Sequence, residues 1–180
     1  MKIIRLTESE LINIIRYVIT EETDVSTENE ISINNLPLQR ATSLIGVPYK
    51  WGGVSPNGID CSGLIYYSFK NFGLSRTNAN GYFNSPLFKK VETNKLIPGD
   101  LIFFGPSGVA KHVGIINTVG SGGNVTSMIH AKGGQKCPGN KTTIKNGYPH
   151  CVVERTTKMS WYKPVIGYRR FKYEKNNYTN

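Results

Sequence analysis

The chain has 180 residues, with 22 Lys and Arg against 12 Asp and Glu and a net charge of +10. That length suits one domain able to bury a core without staples, and the charge favours polyanionic partners such as nucleic acid, acidic wall polymers or anionic lipid. The three cysteines are too few and too uneven for a disulfide framework. No apolar run approaches the ~20 residues that span a bilayer, and no zinc-finger spacing, phosphate-binding glycine loop or dinucleotide fingerprint supports a nucleic-acid partner.

Thr7-Glu8-Ser9-Glu10 is a capping box, and Leu11, Ile14, Ile15, Val18 and Ile19 follow it along one helical stripe, with Leu6 placed to staple onto Leu11. The spacing predicts an amphipathic helix within residues 1–22, packed on its own domain or docked on a partner. Residues 23–35 read as a polar linker that continues the acidic stretch begun by Glu21 and Glu22, with Asp24, Glu28 and Glu30. From Leu36 the pattern becomes globular, and a domain over 36–172 is expected, with 173–180 as a flexible tail. It opens with a helical stretch around Leu38, Ala41, Leu44 and Ile45 that stops at Gly46. Gly46 to Asp60 reads as an ordered turn-rich loop in which Tyr49 and Trp51 are expected to be buried. Cys61 to Phe72 reads as a helix closed by Gly73. Beyond Pro98-Gly99-Asp100, the short apolar runs Leu101–Phe104, Val113–Ile116, Met128–Ile129, Val152–Val153 and Val165–Phe171 argue strands of an antiparallel sheet. Helices first and strands second make an α+β domain.

Cys61 stands where the glycine-rich loop becomes a helix. Unpaired N–H groups at a helix start favour thiolate, so the position predicts a lowered thiol pKa. A cysteine nucleophile also needs an imidazole to take and return a proton and a polar group to fix that imidazole's tautomer. His112, opening the run His112-Val113-Gly114-Ile115-Ile116, is the expected base, and His130, closing Ser127-Met128-Ile129-His130-Ala131, the expected orienter. Adjacent antiparallel strands would set such side chains about 5 Å apart at Cβ. The Cys61 N–H and a neighbouring donor would form the oxyanion hole.

Five blocks occur in order: Gly46-Val47-Pro48-Tyr49-Lys50-Trp51-Gly52-Gly53, Asp60-Cys61-Ser62-Gly63-Leu64, Pro98-Gly99-Asp100-Leu101-Ile102-Phe103-Phe104, His112-Val113-Gly114-Ile115 and Ile129-His130-Ala131. In this series the chain resembles the NlpC-type cell-wall cysteine peptidases from about Leu38 to Phe171. The resemblance implies a papain-like fold, with the nucleophile-bearing helix packed on an antiparallel β-sheet. It implies a Cys61-His112-His130 triad hydrolysing a stem-peptide amide of peptidoglycan, commonly between D-glutamate and a diamino acid, without metal or cofactor. Tyr49 matches the tyrosine beside the thiol, Asp60 and Ser62 match positions that in some members meet the substrate's free amino end, and Trp51 and Arg76 complete the expected substrate-binding set. Ser75 replaces the proline that precedes Arg76-Thr77 in the family, and Gly120 to Asn124 lengthens the hairpin between the histidine strands, which is expected to reshape the cleft rim. The segment from Lys132 to His150 matches nothing in the family pattern.

Cys137 and Cys151 flank that segment. A disulfide between them would close a loop of about 15 residues, worth roughly 3 kcal/mol in an oxidising compartment. In a reducing one they stay thiols, and a zinc site with His150 wants a fourth ligand. The N-terminus shows no secretory signal, which favours a phage-lytic or virion-associated enzyme, or a delivered effector, whose first helix docks on a phage or delivery structure. A same-fold amidase and a non-catalytic wall-binding module are the alternatives.

Overall fold

Each of the five apolar runs becomes a strand of one six-stranded sheet, and every neighbouring pair in it is antiparallel. The computed structural model describes residues 35–132, 144–145, 148–149, 151–156 and 164–173. The predicted N-terminal helix, all but the last residue of the predicted linker, and the end of the tail lie outside the described residues. The chain divides into two units, residues 1–34 and 35–180. The second carries every element below.

A helix through residues 35–43 (α1) buries Ala41, and Leu44 follows it into the core before Gly46 turns the chain at φ +91°. The glycine-rich loop folds back as a small hairpin, β1 (Val54–Ser55) with β2 (Gly58–Ile59). Helix α2 (Cys61–Phe69) runs into a 3₁₀ turn at Lys70–Phe72 that Gly73 ends at φ +77°. The single helix expected over 61–72 therefore tightens in its last turn. Arg40 ties α1 to α2 by donating to the Ser68 carbonyl at 3.2 Å.

Besides the two short hairpins, a helix and a strand escape the sequence reading. Helix α3 (Ala79–Phe83) is five residues long and too short for a periodic stripe, but Asn78 caps it by accepting from the Gly81 N–H at 2.8 Å. Strand β3 (Phe88–Val91) buries its two ends and exposes Lys89 and Lys90 between them, so it has no alternation to read. Then come β4 (Leu101–Phe104), β5 (His112–Val119), β6 (Val125–Lys132), the short pair β7 (Ile144–Lys145) and β8 (Tyr148–Pro149), β9 (Cys151–Thr156) and β10 (Val165–Phe171). The sheet order is β3-β10-β4-β5-β6-β9.

Helix α2 packs on β5 and β6, which is how its first residue comes to the strands that bear the histidines. Its C-terminal end closes an aromatic cluster: the Phe69 ring lies 6.0 Å from Phe88 and 5.3 Å from Phe171 between centroids. Tyr173, expected in the flexible tail, joins that cluster at 5.1 Å from Phe171 and 5.3 Å from Phe72, because burying an aromatic face outweighs the freedom of a chain end. A second cluster gathers Val91, Leu96, Ile102, Phe104, Ile116, Val125 and Met128. The turn at Ser121–Gly123 that joins β5 to β6 lies at the far end of the strands from His112, roughly 23 Å away along an extended strand. It packs against Thr93, whose carbonyl leaves no room for a Cβ on Gly123. The longer hairpin does not form the cleft rim, contrary to the sequence expectation, since strand length carries it away.

Asp100 is buried and accepts from Arg170 Nε at 2.7 Å and Nη2 at 2.8 Å, and from the Ile97 N–H at 3.0 Å. The pair holds the turn before β4 to β10. Asp100→Ala strands the Arg170 charge, whose side chain keeps a quarter of its exposure, and is expected to cost about 3 kcal/mol in urea unfolding. Glu92→Ala breaks the water-exposed pair with Lys95 and should move stability by less than about 0.5 kcal/mol. Equal shifts in the two variants would refute the anchoring role given to Asp100.

Candidate active site

Asp60 is the N-cap of α2, and its carboxylate receives donors from three segments. Oδ1 accepts from the Gly63 N–H at 2.5 Å, as an N-cap does, and from the Ser62 hydroxyl at 3.0 Å. Oδ2 accepts from the Gly52 N–H at 2.8 Å, which pulls the glycine-rich loop onto the helix start. Arg76 Nη2 sits 3.1 Å from both oxygens, and its Nη1 donates to the Ser62 Oγ at 2.9 Å and to the Thr77 carbonyl. Glycine is required where loop and helix touch, since a Cβ on Gly63 would lie 1.9 Å from the Gly53 carbonyl oxygen, and within the hairpin, where one on Gly53 would lie 2.3 Å from that of Gly58. These contacts explain why two of the sequence blocks carry glycine at these positions.

The clamp sets Cys61 on the floor of an open cleft of about 460 Å³. Tyr49, Trp51 and Gly52 line one side, Arg76 and Asn78 to Asn80 another, and Val109, Ala110 and Lys111 a third. Asn80 Oδ1 accepts from the Ala110 N–H at 3.1 Å and so joins two of these walls. Trp51 is 86% exposed, not buried as expected: Gly52 turns the backbone at φ +72°, and the indole projects at the rim. Tyr49 is half-buried, and burial, then the charges of Cys61 and Asp60, push its hydroxyl up to about 12, so it stays a protonated donor.

His112 and His130 come together as the strand pairing requires. His112 Nε2 lies 3.0 Å from His130 Nδ1, with the rings nearly perpendicular at 89°. His130 is fully buried. A Cβ on Gly114 would stand 3.4 Å from the His130 Cβ and 3.0 Å from the Met128 sulfur, so a small residue keeps this part of the ladder open. The Cys61 sulfur meets the backbone N–H groups of Val113, Ser62 and Cys61 itself. The Val113 contact brings it to the residue that follows His112.

The charge states are opposite to those expected from the helix start alone. Burial, then the Asp60 carboxylate, push the Cys61 thiol up to about 11, against the pull of the backbone N–H groups. The lowered thiol pKa is thereby corrected: the carboxylate that caps the helix offsets the positive end that would have stabilised a thiolate. Burial, then the Lys132 charge, push His112 down to about 4. Near neutral pH the site holds a thiol and a neutral imidazole.

Among the expected site residues, Tyr49, Trp51, Asp60, Cys61, Ser62 and Arg76 share the cleft, while the two histidines are not among its lining residues and join it through the Val113 N–H that meets the Cys61 sulfur. The sequence reading missed Asn78, Asn80, Val109, Ala110 and Lys111. Only Lys111, one residue before the expected base, carried a signal. Cys151 is disulfide-bonded, which removes it from the zinc alternative; Cys137 and His150 lie outside the described residues.

The sequence model of the NlpC/P60 family matches residues 46–170. The murein DD-endopeptidase MepH of Escherichia coli (strain K12) is 39% identical over 103 residues, covering 54% of this chain and 35% of that protein. The peptidoglycan endopeptidase RipA of Mycobacterium tuberculosis is 38% identical over 92 residues, covering 43% of this chain and 19% of that protein. The chain thus spans about a third or less of the length of these relatives. Of solved structures, the P60 domain of an M. avium paratuberculosis antigen superposes with a TM-score of 0.56 at 18% identity, covering 82% of this chain and 98% of that one. An NlpC/P60 family protein from Bacillus cereus gives 0.54 at 23%, covering 77% of this chain and 40% of that one. At these identities the likeness is one of fold. No helix among the described residues is long and apolar enough to cross a membrane.

The charge states have a direct readout. Alkylation of Cys61 by iodoacetamide should keep accelerating from about pH 7 to about pH 10, since only thiolate reacts. A rate already level below about pH 8 would mean a preformed thiolate and would contradict the balance of burial and charge described.

Proposed function

The chain belongs to the NlpC/P60 family, and from that premise we propose that it is a cysteine endopeptidase acting on the stem peptides of peptidoglycan. The observation that carries the reading is a helix-start cysteine in the cleft whose sulfur meets the Val113 N–H, next in the chain to His112 of a hydrogen-bonded histidine pair. Its support is the identity of about two residues in five to two peptidoglycan endopeptidases by name. In this reading residues 36–172 are the catalytic domain, with the N-terminal helix, linker and tail as appendages.

Cys61 is the nucleophile and His112 the base. For His112 Nδ1 to take the thiol proton, Nε2 must carry the ring hydrogen and donate it to His130 Nδ1, so His130 fixes the tautomer. The thiolate attacks the amide carbonyl, and the tetrahedral oxyanion is met by helix-start N–H groups, with the Tyr49 hydroxyl as a further donor. Collapse breaks the C–N bond, and His112 returns its proton to the leaving amine. Water then hydrolyses the thioester with the same imidazole as base. The four donors already on Asp60 favour a positioning role for it, with Ser62 and Arg76 joined to it in the same network. Trp51 at the rim is an aromatic surface for the acyl part of the substrate. Neutral thiol and neutral imidazole are the resting forms, so the pair makes its charges only as attack begins.

The scissile bond in this reading is that between D-glutamate and the diamino acid. A second reading, a bond between D-residues, is favoured by the name of the Escherichia coli relative. The phage or delivery origin expected from the N-terminus rests on residues outside the described set and forms no part of the proposal.

Digestion of purified sacculi followed by mass spectrometry of the released muropeptides tests the reading and assigns the bond. Wild type should release fragments and Cys61→Ala none; fragments from Cys61→Ala would remove the nucleophile assignment. His130→Ala should lower kcat by about a hundredfold, with His130→Asn partly restoring it through its carbonyl acceptor. With His112 held down to about 4, it stays competent as a base below the pH at which an ordinary imidazole is protonated. Activity is therefore expected to persist near pH 5.5 and to fall toward pH 4, and an acid limb centred at about 6.5 would contradict that assignment.

A further inference from the structure

The proton that His112 returns goes to the leaving amine, so the residue carrying that amine must lie on the His112 side of Cys61. Lys111 lines the cleft one residue before His112, with an exposed side chain, and its backbone is fixed by its N–H bond to the Phe104 carbonyl at 2.8 Å. A second cation, Lys132 at the end of β6, is close enough for its charge to be felt at His112. Among the described residues lining the cleft, the one carboxylate is Asp60, and it is already engaged by Arg76. Among the described residues lining that wall, Lys111 is therefore the charged group and no acid stands beside it.

We propose that Lys111, supported by Lys132, is a specificity-determining residue that selects substrates whose leaving residue carries a free carboxylate. The chemical class is a stem peptide in which the residue after the scissile bond ends the chain as a carboxylate, or bears a second carboxylate on a diamino-diacid side chain. The amidated form of either is the disfavoured partner. Val109 and Ala110, the neighbours of Lys111 in the same wall, give the aliphatic part of that residue an apolar contact. The inference rests on the endopeptidase reading and refines it on the side of the bond where that reading names no contact.

The test uses the full chain and two synthetic stem peptides that differ only in a carboxylate or a carboxamide on the leaving residue. Wild type should favour the carboxylate in kcat/KM by roughly three- to tenfold, the range of a partly exposed charge-assisted contact, and the preference should shrink as salt rises. Lys111→Met should bring the two substrates together, and Lys111→Glu should invert their order. The same discrimination in Lys111→Met as in wild type, or none in wild type, overturns the proposal. Hydrolysis of neither peptide by wild type, with sacculi also left intact, would fail the endopeptidase reading itself and take the inference with it.

Discussion

Everything at the catalytic end of this molecule is arranged around one buried carboxylate. Asp60 caps the helix that begins at Cys61, draws in the Gly52 N–H, orients Ser62 and pairs with Arg76. A carboxylate moved out of water costs several kcal/mol unless its lone pairs are met, and here four donors meet them. Because those donors come from the loop, the helix and the segment after the helix, removing any one weakens the positions of the others. The glycine at 63 is a consequence of the same constraint, since the loop carbonyl of Gly53 leaves no room for a Cβ there, while Gly53 itself is hemmed in by Gly58 within the hairpin.

The clamp also sets the electrostatics of Cys61, the proposed nucleophile. An N-cap carboxylate satisfies a helix start, and its negative charge then opposes a second anion one residue away. Burial adds to the penalty on the thiolate, and at His112 burial together with Lys132 penalises the imidazolium. In the proposed reaction, a site built this way would hold both partners uncharged until a substrate carbonyl arrives to share the developing charge. The backbone N–H groups around the sulfur are oriented in advance of that charge, which is where preorganised dipoles contribute most.

Much of this was legible in the residues. The β-branched runs gave the sheet, the pattern of Leu64, Ile65 and Phe69 gave the helix, and the placement of His112 and His130 on adjacent strands followed from the antiparallel pairing. What was not legible depends on tertiary context. The exposure of Trp51 follows from a positive φ at Gly52 that composition does not encode. Strand β3 hides its pairing because lysines occupy its middle, and α3 is too short to show a period. The thiol pKa was read from the helix alone, whereas the burial and the neighbouring carboxylate that reverse it belong to the folded site.

The two sides of the cleft differ in kind, and the difference follows from how each is held. On one side the polar groups are consumed by the fold: Asp60, Ser62 and Arg76 bond one another, so their geometry is fixed and they have little capacity left for a variable ligand. Opposite them, the wall from Val109 to Lys111 is held by backbone bonds, Ala110 to Asn80 and Lys111 to Phe104, which leaves the exposed side chains of Val109 and Lys111 uncommitted to the fold while Ala110 is buried. A wall anchored through its main chain can change side chains without loosening the nucleophile. Selectivity can therefore vary there while the Asp60 network stays constant, since a substitution at 111 disturbs no bond that positions Cys61.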